Sequence, residues 1–278
     1  MNRVKKIVHY QKKWLGNGIV IVVLDTGVSK HPDLDGRIWR FRDFINGRYD
    51  MYDDNGHGTH VCGVIGGRNI GIAPECRLIV LKVLDETGNG KVEHSMRAFR
   101  WILENQEKYN IRVVNISMGM GKHVDEKGRR YIMGAVELLW DMGIVVVAAA
   151  GNLGPADGSI KIPGLHEKII TFGSYDNIQS GRGSLEKNIL KPDLVVPGTR
   201  IYSCNAFWSN KEEEKYIAKS GTSMSTPIVT GAVADLLSKY PNMTNREVKI
   251  RLKKSCDNLR MPVTRQGSGL LNFQKLLD

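Results

Sequence analysis

Short, unbroken runs of apolar residues recur along the chain and are separated by longer segments of mixed character. The runs are rich in β-branched residues and comprise Ile19–Leu24, Leu78–Val83, Val113–Ser117, Ile144–Ala150 and Ile169–Gly173. Unbroken rather than alternating apolar runs indicate strands buried on both faces, as in a parallel sheet. The segments with helical character are Thr59–Gly66, Val92–Asn105, Arg130–Met142 and Thr226–Tyr240. This alternation predicts an α/β fold with a mainly parallel central sheet and helices on both faces.

No internal repeat, low-complexity tract or Pro/Ser-rich linker divides the chain. It has 278 residues with 41% apolar and 25% charged side chains, which is enough for one large core and unlike a disordered or coiled-coil chain. We therefore interpret residues 1–278 as a single domain. Near its end, Thr244 and Glu247 have the spacing of a helix capping box.

The chain carries 40 Lys and Arg residues against 29 Asp and Glu residues, a formal net charge of +11. Such a charge is compatible with binding to nucleic acid or to an anionic membrane surface. However, the basic residues are spread along the chain and are not interleaved with the aromatic residues that base stacking needs. We interpret the charge as a solvated surface and predict no nucleic-acid partner. Since no apolar run reaches about 18 residues, we predict no membrane association either.

Four scattered cysteines are too few for a disulfide scaffold and lack the spacing of a metal site. They are Cys62, Cys76, Cys204 and Cys256. The N-terminal residues are basic but lack the apolar segment of a secretory signal. We therefore expect a cytoplasmic protein, although a chain from which a leader had been removed would look the same.

The first segment with chemical potential is Val23–Gly27, in which Asp25 directly follows a predicted buried strand. In parallel sheets, functional groups gather at the carboxyl ends of strands. Asp25 could therefore orient a base or bind a metal. An Asx-turn is the simpler interpretation of the segment taken alone.

The second segment is Asn55–Gly63, which places His57 at the start of a helix of small residues. The flanking Gly56 and Gly58 allow a backbone or a substrate to come close. His57 and His60 lie three residues apart without a glutamate-containing zinc motif, so we do not interpret them as a metal site. We expect His60 to be a structural histidine and His57 to be functional.

The third segment is Lys219–Pro227, which contains Ser223 after a Gly-Thr pair and just before a predicted helix. We expect Pro227 in the first turn of that helix. A serine on such a sharp turn resembles an exposed nucleophile. Helix capping is the alternative, but a cap needs one hydroxyl group whereas this stretch offers five.

The order Asp25, His57, Ser223 is that of the subtilisin catalytic triad. The chain resembles the subtilisin-like serine proteases, or subtilases, over essentially its whole length. The segments that carry the resemblance are Val23–Gly27, Asn55–Gly63, Val114–Gly119, Ala148–Asn152 and Ser220–Pro227. It implies a three-layer subtilisin-like fold and a serine endopeptidase with polypeptide substrates.

The resemblance also implies roles for single residues. Ser223 would attack the scissile carbonyl, His57 would accept and return the proton, and Asp25 would orient His57. The oxyanion would be held by the Asn152 side chain and the Ser223 backbone N–H. The extended backbone of the substrate would pair with two segments of this chain, one on each side. An outer substrate-binding pocket would lie next to the first segment. These substrate-binding residues would be Gly88 and Gly90 on one side, Ser117, Met118 and Gly119 on the other, and Val92 in the pocket.

Lys161 departs from the family pattern. Family members often have a glycine two residues before the proline of a Pro-Gly turn. That glycine lies at the base of the pocket that binds the substrate side chain just before the cleaved bond. Here Gly158–Gly164 places Lys161 at that position. A buried positive charge favours pairing with an anion, which suggests acidic substrates. Alternatively, the lysine reaches solvent and only shortens the pocket.

The cation sites of the family also look different in this chain. The ligand loop that follows the histidine helix in relatives is missing, and Asp33 alone cannot supply the six or more oxygens that Ca²⁺ needs. At a second, weaker cation site of the family, Lys191 stands where relatives have an acidic ligand, whereas the acidic residue Asp193 is present. We therefore predict that no metal or other cofactor is required.

The main alternative is a catalytically silent subtilase-fold protein that serves as a binding or scaffold module. Such proteins usually lose a triad residue, whereas this chain has all three. Only about eight residues precede the region of resemblance, which favours the intracellular, propeptide-poor members of the family.

Overall fold

The structure, a computed structural model, describes residues 1–119, 124–209 and 214–278. Its helices are α1 (Asn2–Ile7), α2 (His57–Gly66), α3 (Val92–Tyr109), α4 (Glu126–Asp141), α5 (Thr222–Lys239), α6 (Asn245–Lys254), α7 (Val263–Gln266) and α8 (Phe273–Leu277). Its strands are β1 (Val20–Asp25), β2 (Ile38–Asp43), β3 (Arg77–Lys82), β4 (Ile111–Ile116), β5 (Val145–Ala149), β6 (Ile170–Ser174), β7 (Leu194–Val196), β8 (Ile201–Cys204), β9 (Tyr216–Lys219), β10 (Cys256–Asp257) and β11 (Leu270–Leu271).

Across the described ranges, nine strands form one sheet in the order β10-β11-β7-β6-β5-β4-β1-β3-β2. Every neighbouring pair is parallel except β10 with β11. The central strands β1 and β5 are buried along their whole length, as their unbroken apolar runs predict. The predicted mainly parallel α/β sheet is confirmed. Strands β8 and β9 form a separate antiparallel hairpin.

Helices cover the two faces of the sheet. Helix α5 packs across β4, β5 and β6, with α2 beside it. Helices α3 and α4 pack on each other and on β1, β4 and β5. The three layers enclose one hydrophobic core that includes both helix pairs and the sheet. In the part of the chain that the structure describes, no helix is long and apolar enough to cross a lipid bilayer.

The strand order places β1 between β4 and β3, so the direction of the connections changes at β1. In open α/β sheets, a crevice forms outside the carboxyl ends of the strands at such a point. Asp25 is the last residue of β1. The residues that follow β4 and β5 lead to Gly119 and Asn152 at the same edge. The topology thereby brings three separate segments of the sequence to one crevice.

Two predicted helices begin earlier than expected. Helix α2 begins at His57 rather than Thr59, and α5 begins at Thr222 rather than Thr226. The prediction that Pro227 occupies the first turn of α5 is therefore wrong, because Pro227 lies inside the helix. A proline at this position removes the hydrogen bond to the carbonyl four residues earlier, that of Ser223, and its ring crowds that carbonyl. Ser223 is consequently part of the first helical turn.

The sequence pattern did not predict the edge strand β2. Its sequence IWRFRD alternates apolar and charged residues, and only Asp43 is buried. Trp39 of this strand packs edge-to-face on Tyr109 with ring centroids 5.2 Å apart, and the Arg40 guanidinium lies over the Trp39 ring. The arginines at positions 40 and 42 therefore lie on an edge strand. The capping box at the start of α6 is confirmed, with Thr244 and Glu247 each bonding the other's backbone N–H.

Candidate active site

Asp25 and His57 form a close pair at the carboxyl end of β1. The Nδ1 atom of His57 lies 2.6 Å from Oδ1 of Asp25, which also accepts a hydrogen bond of 2.8 Å from the Thr26 N–H. The Asp25 side chain is fully buried, and that of His57 is 23% exposed. Burial by itself lowers the pKa of His57, but the charge and hydrogen bond of Asp25 outweigh it and raise the pKa above 6.5. The pair can thus hold an imidazolium next to a buried carboxylate.

Glycines permit the close approach between the start of α2 and the turn after β1. A β-carbon added at Gly58 would lie 2.2 Å from the carbonyl oxygen of Gly27. Gly56 precedes the helix with φ of +84°, a conformation that other residues rarely adopt. The Gly58 N–H donates to the Thr26 hydroxyl over 2.9 Å. These contacts hold His57, the first residue of α2, over the end of β1.

Asp53 supports the same helix terminus, and sequence reasoning missed it. Its Oδ2 accepts hydrogen bonds from the backbone N–H and hydroxyl of Thr59, at 2.8 and 2.6 Å. Its Oδ1 accepts from the Gly56 N–H and the Thr26 hydroxyl, at 2.8 and 2.7 Å. Burial raises the pKa of Asp53, but these hydrogen bonds together lower it below its usual value. An acidic residue just before a predicted helix was the available signal.

Ser223 and Asn152 flank Gly221. A β-carbon added at Gly221 would lie 3.3 Å from Oγ of Ser223 and 3.2 Å from Nδ2 of Asn152. The Asn152 Oδ1 accepts hydrogen bonds from the backbone N–H and hydroxyl of Thr222, at 3.0 and 3.2 Å. Thr222 thus fixes the Asn152 amide oxygen, and the Nδ2 of the same amide lies next to Gly221. Sequence reasoning had not assigned Thr222 a role.

The backbone N–H of Ser223 belongs to the first turn of α5, where N–H groups have no intrahelical acceptor. The positive end of the helix dipole adds to the attraction for an anion at this point. Helices α2 and α5 pack side by side, and each begins at this edge of the sheet. The Ser223 hydroxyl, the His57 imidazole and the first-turn N–H groups of α5 therefore lie at the same edge of the sheet.

Lys161 lies against the same crevice. Its backbone N–H donates to the carbonyl of Ala150 over 2.9 Å. A β-carbon added at Gly119 would lie 2.6 Å from Cδ of Lys161, and one added at Gly151 would lie 2.9 Å from its Cγ. The aliphatic part of Lys161 therefore fills the space between Gly119 and Gly151, next to Asn152. Side chains at these glycines would collide with it.

The segment with Gly88 and Gly90 lies beside the histidine loop. The Asn55 side chain donates to the Glu86 carbonyl over 3.0 Å, and a β-carbon added at Gly88 would lie 3.6 Å from Nδ2 of Asn55. Gly88 has φ of +80°, as a tight turn requires. Val92 is the first residue of α3 and is partly buried.

On the opposite side, Ser117 and Met118 follow β4 and are buried. The Asn115 side chain donates to the Ser117 hydroxyl over 2.8 Å and accepts from Thr230 of α5 over 2.8 Å. This network ties the end of β4 to the helix that carries Ser223.

His60 is structural, as expected. It is fully buried in α2, and its Nε2 lies 2.9 Å from the Ile201 carbonyl oxygen. Burial lowers the pKa of His60 to about 3, so the ring is neutral at physiological pH. His60 therefore joins α2 to the β8–β9 hairpin.

At the two positions considered as cation sites, the carboxylates have protein partners. Asp33 Oδ1 accepts from both the backbone and side-chain amides of Asn69. The Lys191 ammonium donates to the Ile169 carbonyl over 2.8 Å and to Asp193 Oδ2 over 2.6 Å. Lys249 donates to the same carbonyl over 3.0 Å. Over the described residues, no three His, Cys, Asp or Glu side chains cluster as metal ligands would. At the second position, ammonium groups therefore contact the oxygens of Ile169 and Asp193.

Comparison with known proteins assigns the chain to a family. The family model described as the subtilase family matches residues 16–271. The chain is 36% identical to Serine protease AprX of Bacillus subtilis (strain 168), over 91% of this chain and 64% of AprX. It is 32% identical to Subtilisin Savinase of Lederbergia lenta, over 99% of this chain and 96% of Savinase. The chain thus spans less than two thirds of AprX but nearly all of Savinase.

Solved structures agree with this assignment. A cold-adapted subtilisin-like serine proteinase superposes with a TM-score of 0.78 at 29% identity, covering 95% of this chain and 91% of that one. Sphericase superposes with a TM-score of 0.80 at 28% identity, covering 91% and 88%. The chain therefore belongs to the subtilase family of serine endopeptidases and has the three-layer subtilisin-like fold.

Proposed function

We propose that this chain hydrolyses peptide bonds through a triad of Ser223, His57 and Asp25. The observation that carries the proposal is the contact of 2.6 Å between His57 and the fully buried Asp25. A buried carboxylate fixes the imidazole tautomer, because Nδ1 must carry the proton that Asp25 accepts. The Nε2 lone pair is then free to act as a base.

In the first half of the reaction, the Ser223 oxygen bonds to the scissile carbonyl carbon while His57 takes the hydroxyl proton. The carbonyl oxygen becomes an oxyanion, which the Asn152 Nδ2 and the Ser223 N–H stabilise. One such donor contributes about 10²–10³ in rate. The carbon–nitrogen bond then breaks, and His57 gives its proton to the leaving amine. An acyl ester on Ser223 remains.

Water completes the cycle by the same steps. A water oxygen attacks the ester carbon while His57 takes a proton from the water. The second oxyanion collapses, the bond to Ser223 breaks, and His57 returns the proton to the serine oxygen. Asp25 stays ionised throughout and stabilises the imidazolium form of His57.

The deciding experiment combines a fluorophosphonate probe with a casein assay. The parent protein should be labelled and should release peptides, whereas Ser223→Ala should do neither. Ser225→Ala is the matched control, because it removes a hydroxyl from the same turn of the helix, one that donates to the Pro197 carbonyl over 3.2 Å. A parent protein that folds but neither labels nor cleaves would favour the silent scaffold instead.

Lys161 gives the proposed enzyme a preference for an acidic side chain before the cleaved bond. Its stem lies between Gly119 and Gly151, beside the oxyanion residue Asn152, so it occupies the volume that a large apolar side chain would need. A carboxylate could pair with its ammonium group in this partly desolvated place. The opposing interpretation is that the ammonium remains in solvent.

The proposed enzyme works in the cytoplasm and needs no cofactor. All four cysteines are free thiols, and three of them are buried, which suits a reducing compartment. Lys191 and Lys249 contribute positive charge at Asp193, where a bound cation would otherwise serve. Cell fractionation with an antibody to this chain tests the location, and recovery of activity only in the extracellular medium would contradict it.

A further inference from the structure

A second cavity, of about 620 Å³, opens at the amino ends of the strands, on the opposite edge of the sheet from the His57 crevice. It is lined by Val20, the first residue of β1, by Arg77, the first residue of β3, and by Arg37, which directly precedes β2. The end of α3, including Lys108, also lines it and leads into β4. Because β1 has six residues, its two ends are about 20 Å apart. The cavity is therefore separate from the residues of the proposed hydrolytic reaction.

Cations outnumber carboxylates in the lining of this cavity. Arg37, Arg77 and Lys108 line it, against the single carboxylate of Glu75. Within the ranges that the structure describes, none of these three cations lies within ion-pair distance of a carboxylate. The Nε atom of Arg37 is buried and has no hydrogen-bond partner in the same part of the chain. A buried cationic donor without an acceptor favours the binding of an anion, since leaving it unpaired costs free energy.

Two aromatic rings position the cations of this cavity. A β-bulge in β2 leaves Trp39 as an extra residue opposite β3, and bulges re-aim the side chains that they carry. The Arg77 guanidinium carbon lies 5.0 Å from the centroid of the Trp39 ring, and the Lys108 ammonium lies 5.3 Å from that of Tyr109. A fourth cation, Arg40, lies 5.8 Å from both centroids. The rings thus pack against cations and against each other, unlike the open aromatic faces on which bases stack.

The ligand that fits this cavity is a compact anion with several charges. Guanidinium groups pair with phosphates and carboxylates through two parallel N–H···O bonds. With Arg40 counted, four cations stand against the one carboxylate of Glu75. A terminal phosphoryl group carries about −1.5 to −2 near neutral pH, so a diphosphate with two such ends balances this excess. A cavity of this size holds a small molecule, whereas an acidic peptide spreads its carboxylates along an extended chain at about 3.3 Å per residue.

We propose that this cavity binds a diphosphate group, either as the free ion or as part of a nucleoside diphosphate. Arg37 and Arg77 would bind the phosphate oxygens, and Lys108 would add positive charge beside them. Because the phosphates carry the recognition, the free ion and the nucleotide should bind with similar affinity. Salt should weaken the binding, since the cations are partly exposed. The proposal does not depend on the proposed peptidase activity.

The experiment is isothermal titration calorimetry in the Ser223→Ala background, which prevents self-cleavage. The probes are sodium diphosphate, ADP and sodium sulfate, at matched ionic strength and without divalent cations. The variants are Arg37→Gln, Arg77→Gln, Arg77→Lys, Glu75→Gln and Arg42→Gln. Arg42→Gln is the matched control, because Arg42 is an exposed arginine of the adjoining strand β2 that does not line the cavity. Melting curves establish that each variant is folded and show whether diphosphate stabilises it.

The parent should bind diphosphate and ADP with similar affinity, and both more tightly than sulfate. Arg37→Gln and Arg77→Gln should each weaken diphosphate binding by about tenfold. Arg77→Lys should lie between Arg77→Gln and the parent, because it keeps the charge but loses the paired N–H groups. Glu75→Gln should strengthen binding, and Arg42→Gln should leave it unchanged.

Three results would overturn the proposal. The first is a parent that binds diphosphate no more tightly than sulfate, which would indicate a general attraction for anions. The second is an equal loss of affinity in Arg42→Gln and Arg37→Gln, which would indicate an effect of net charge alone. The third is ADP binding about tenfold or more tighter than diphosphate, because recognition would then depend on the nucleoside.

Discussion

The fully buried Lys82 donates a hydrogen bond of 2.7 Å to Oδ1 of Asp54, three residues before His57. Its ammonium also donates to the carbonyls of Thr26, at 2.6 Å, and Leu84, at 2.9 Å. One cation therefore joins the chain after β1, the chain after β3 and the loop that precedes α2. Lys82 is across from Asp25 in the register of β1 and β3. This arrangement makes Lys82 a support for the Asp25–His57 pair.

We expect Lys82→Met to destabilise the fold by about 3 kcal/mol, because it leaves two carbonyls and a carboxylate without their donor. Lys82→Arg should retain part of the stability, and Asp54→Asn should cost less because Asp54 is 35% exposed. Urea denaturation of the three variants, each in the Ser223→Ala background to prevent self-cleavage, measures this order. Equal stability of Lys82→Met and the parent would contradict it.

The pH dependence of activity should report the Asp25–His57 pair. Since Asp25 raises the pKa of His57 above 6.5, kcat/KM should rise with pH through a midpoint above 6.5. Asp25→Asn should reduce turnover by orders of magnitude and lower the pKa of His57, because the attraction for the imidazolium is lost. Proton NMR titration of His57 in Ser223→Ala, with and without Asp25→Asn, follows this pKa directly. A His57 pKa that does not move would be inconsistent with the pair.

Much of this site could be predicted because its chemistry is local in the sequence. Asp25, His57 and Ser223 each lie in a short motif, and continuous apolar strands such as β1 and β5 identify the sheet. The residues that hold the site in place could not be predicted in this way. Asp53, Thr222 and Lys82 act through contacts with groups that are distant in sequence or through backbone atoms, and their residue types also suit a solvated loop. Lys82 lies in the apolar run Leu78–Val83, so burial of the strand was predicted, but the partners of its ammonium group are distant in the sequence and were not.

The short strands were missed for a related reason. β10 and β11 have two residues each and are stabilised by their sheet neighbours, so neither carries a periodic pattern of its own. The start of α5 was placed too late because Pro227 is usually found in a first turn. Tertiary packing of α5 against α2 and the sheet overrides that preference.

Asp235 should make the fold less stable as pH rises. It is fully buried in α5, and neither carboxyl oxygen has a hydrogen-bond partner among the residues that the structure describes. Burial raises the pKa of Asp235 to about 8, with Lys5 partly opposing the shift. In the unfolded chain the carboxyl ionises near 3.8, so its contribution to stability is present below that pH and is lost progressively as pH rises to about 8.

Asp235→Asn and Asp235→Leu should therefore be more stable than the parent at pH 8, by about 2–4 kcal/mol for the leucine variant. The gain should shrink as pH falls toward 5. Chemical denaturation at each pH, in the Ser223→Ala background, gives the difference between variant and parent. A difference that does not vary with pH would show that Asp235 is ionised, or equally protonated, in both states.

Chelator should change the melting temperature little. A tight Ca²⁺ site at 1,000-fold excess over its dissociation constant would add about 4 kcal/mol, which its removal would reveal. Lys191→Glu should be destabilised, since it removes the ammonium from Asp193 and adds a second carboxylate, and added Ca²⁺ should then raise its melting temperature. Lys187→Glu, an exposed lysine, is the control for the change in net charge. A large loss of melting temperature when the parent is treated with EDTA would contradict this prediction.

The preference before the cleaved bond should depend on Lys161. Its stem fills the gap between Gly119 and Gly151, so Lys161→Gly should open the pocket and improve cleavage after Phe and Leu. In the parent, Glu before the cleaved bond should be favoured over Gln by about twofold to fivefold, and salt should reduce the difference.

Lys161→Met separates the effect of volume from the effect of charge, because it keeps most of the stem volume and removes the charge. It should lose the preference for Glu while still excluding Phe. A panel of peptides differing only at this residue, assayed at low and high salt, measures both properties. Preference of the parent for Phe or Leu over Glu would reject pairing with Lys161 and support an ammonium that reaches solvent.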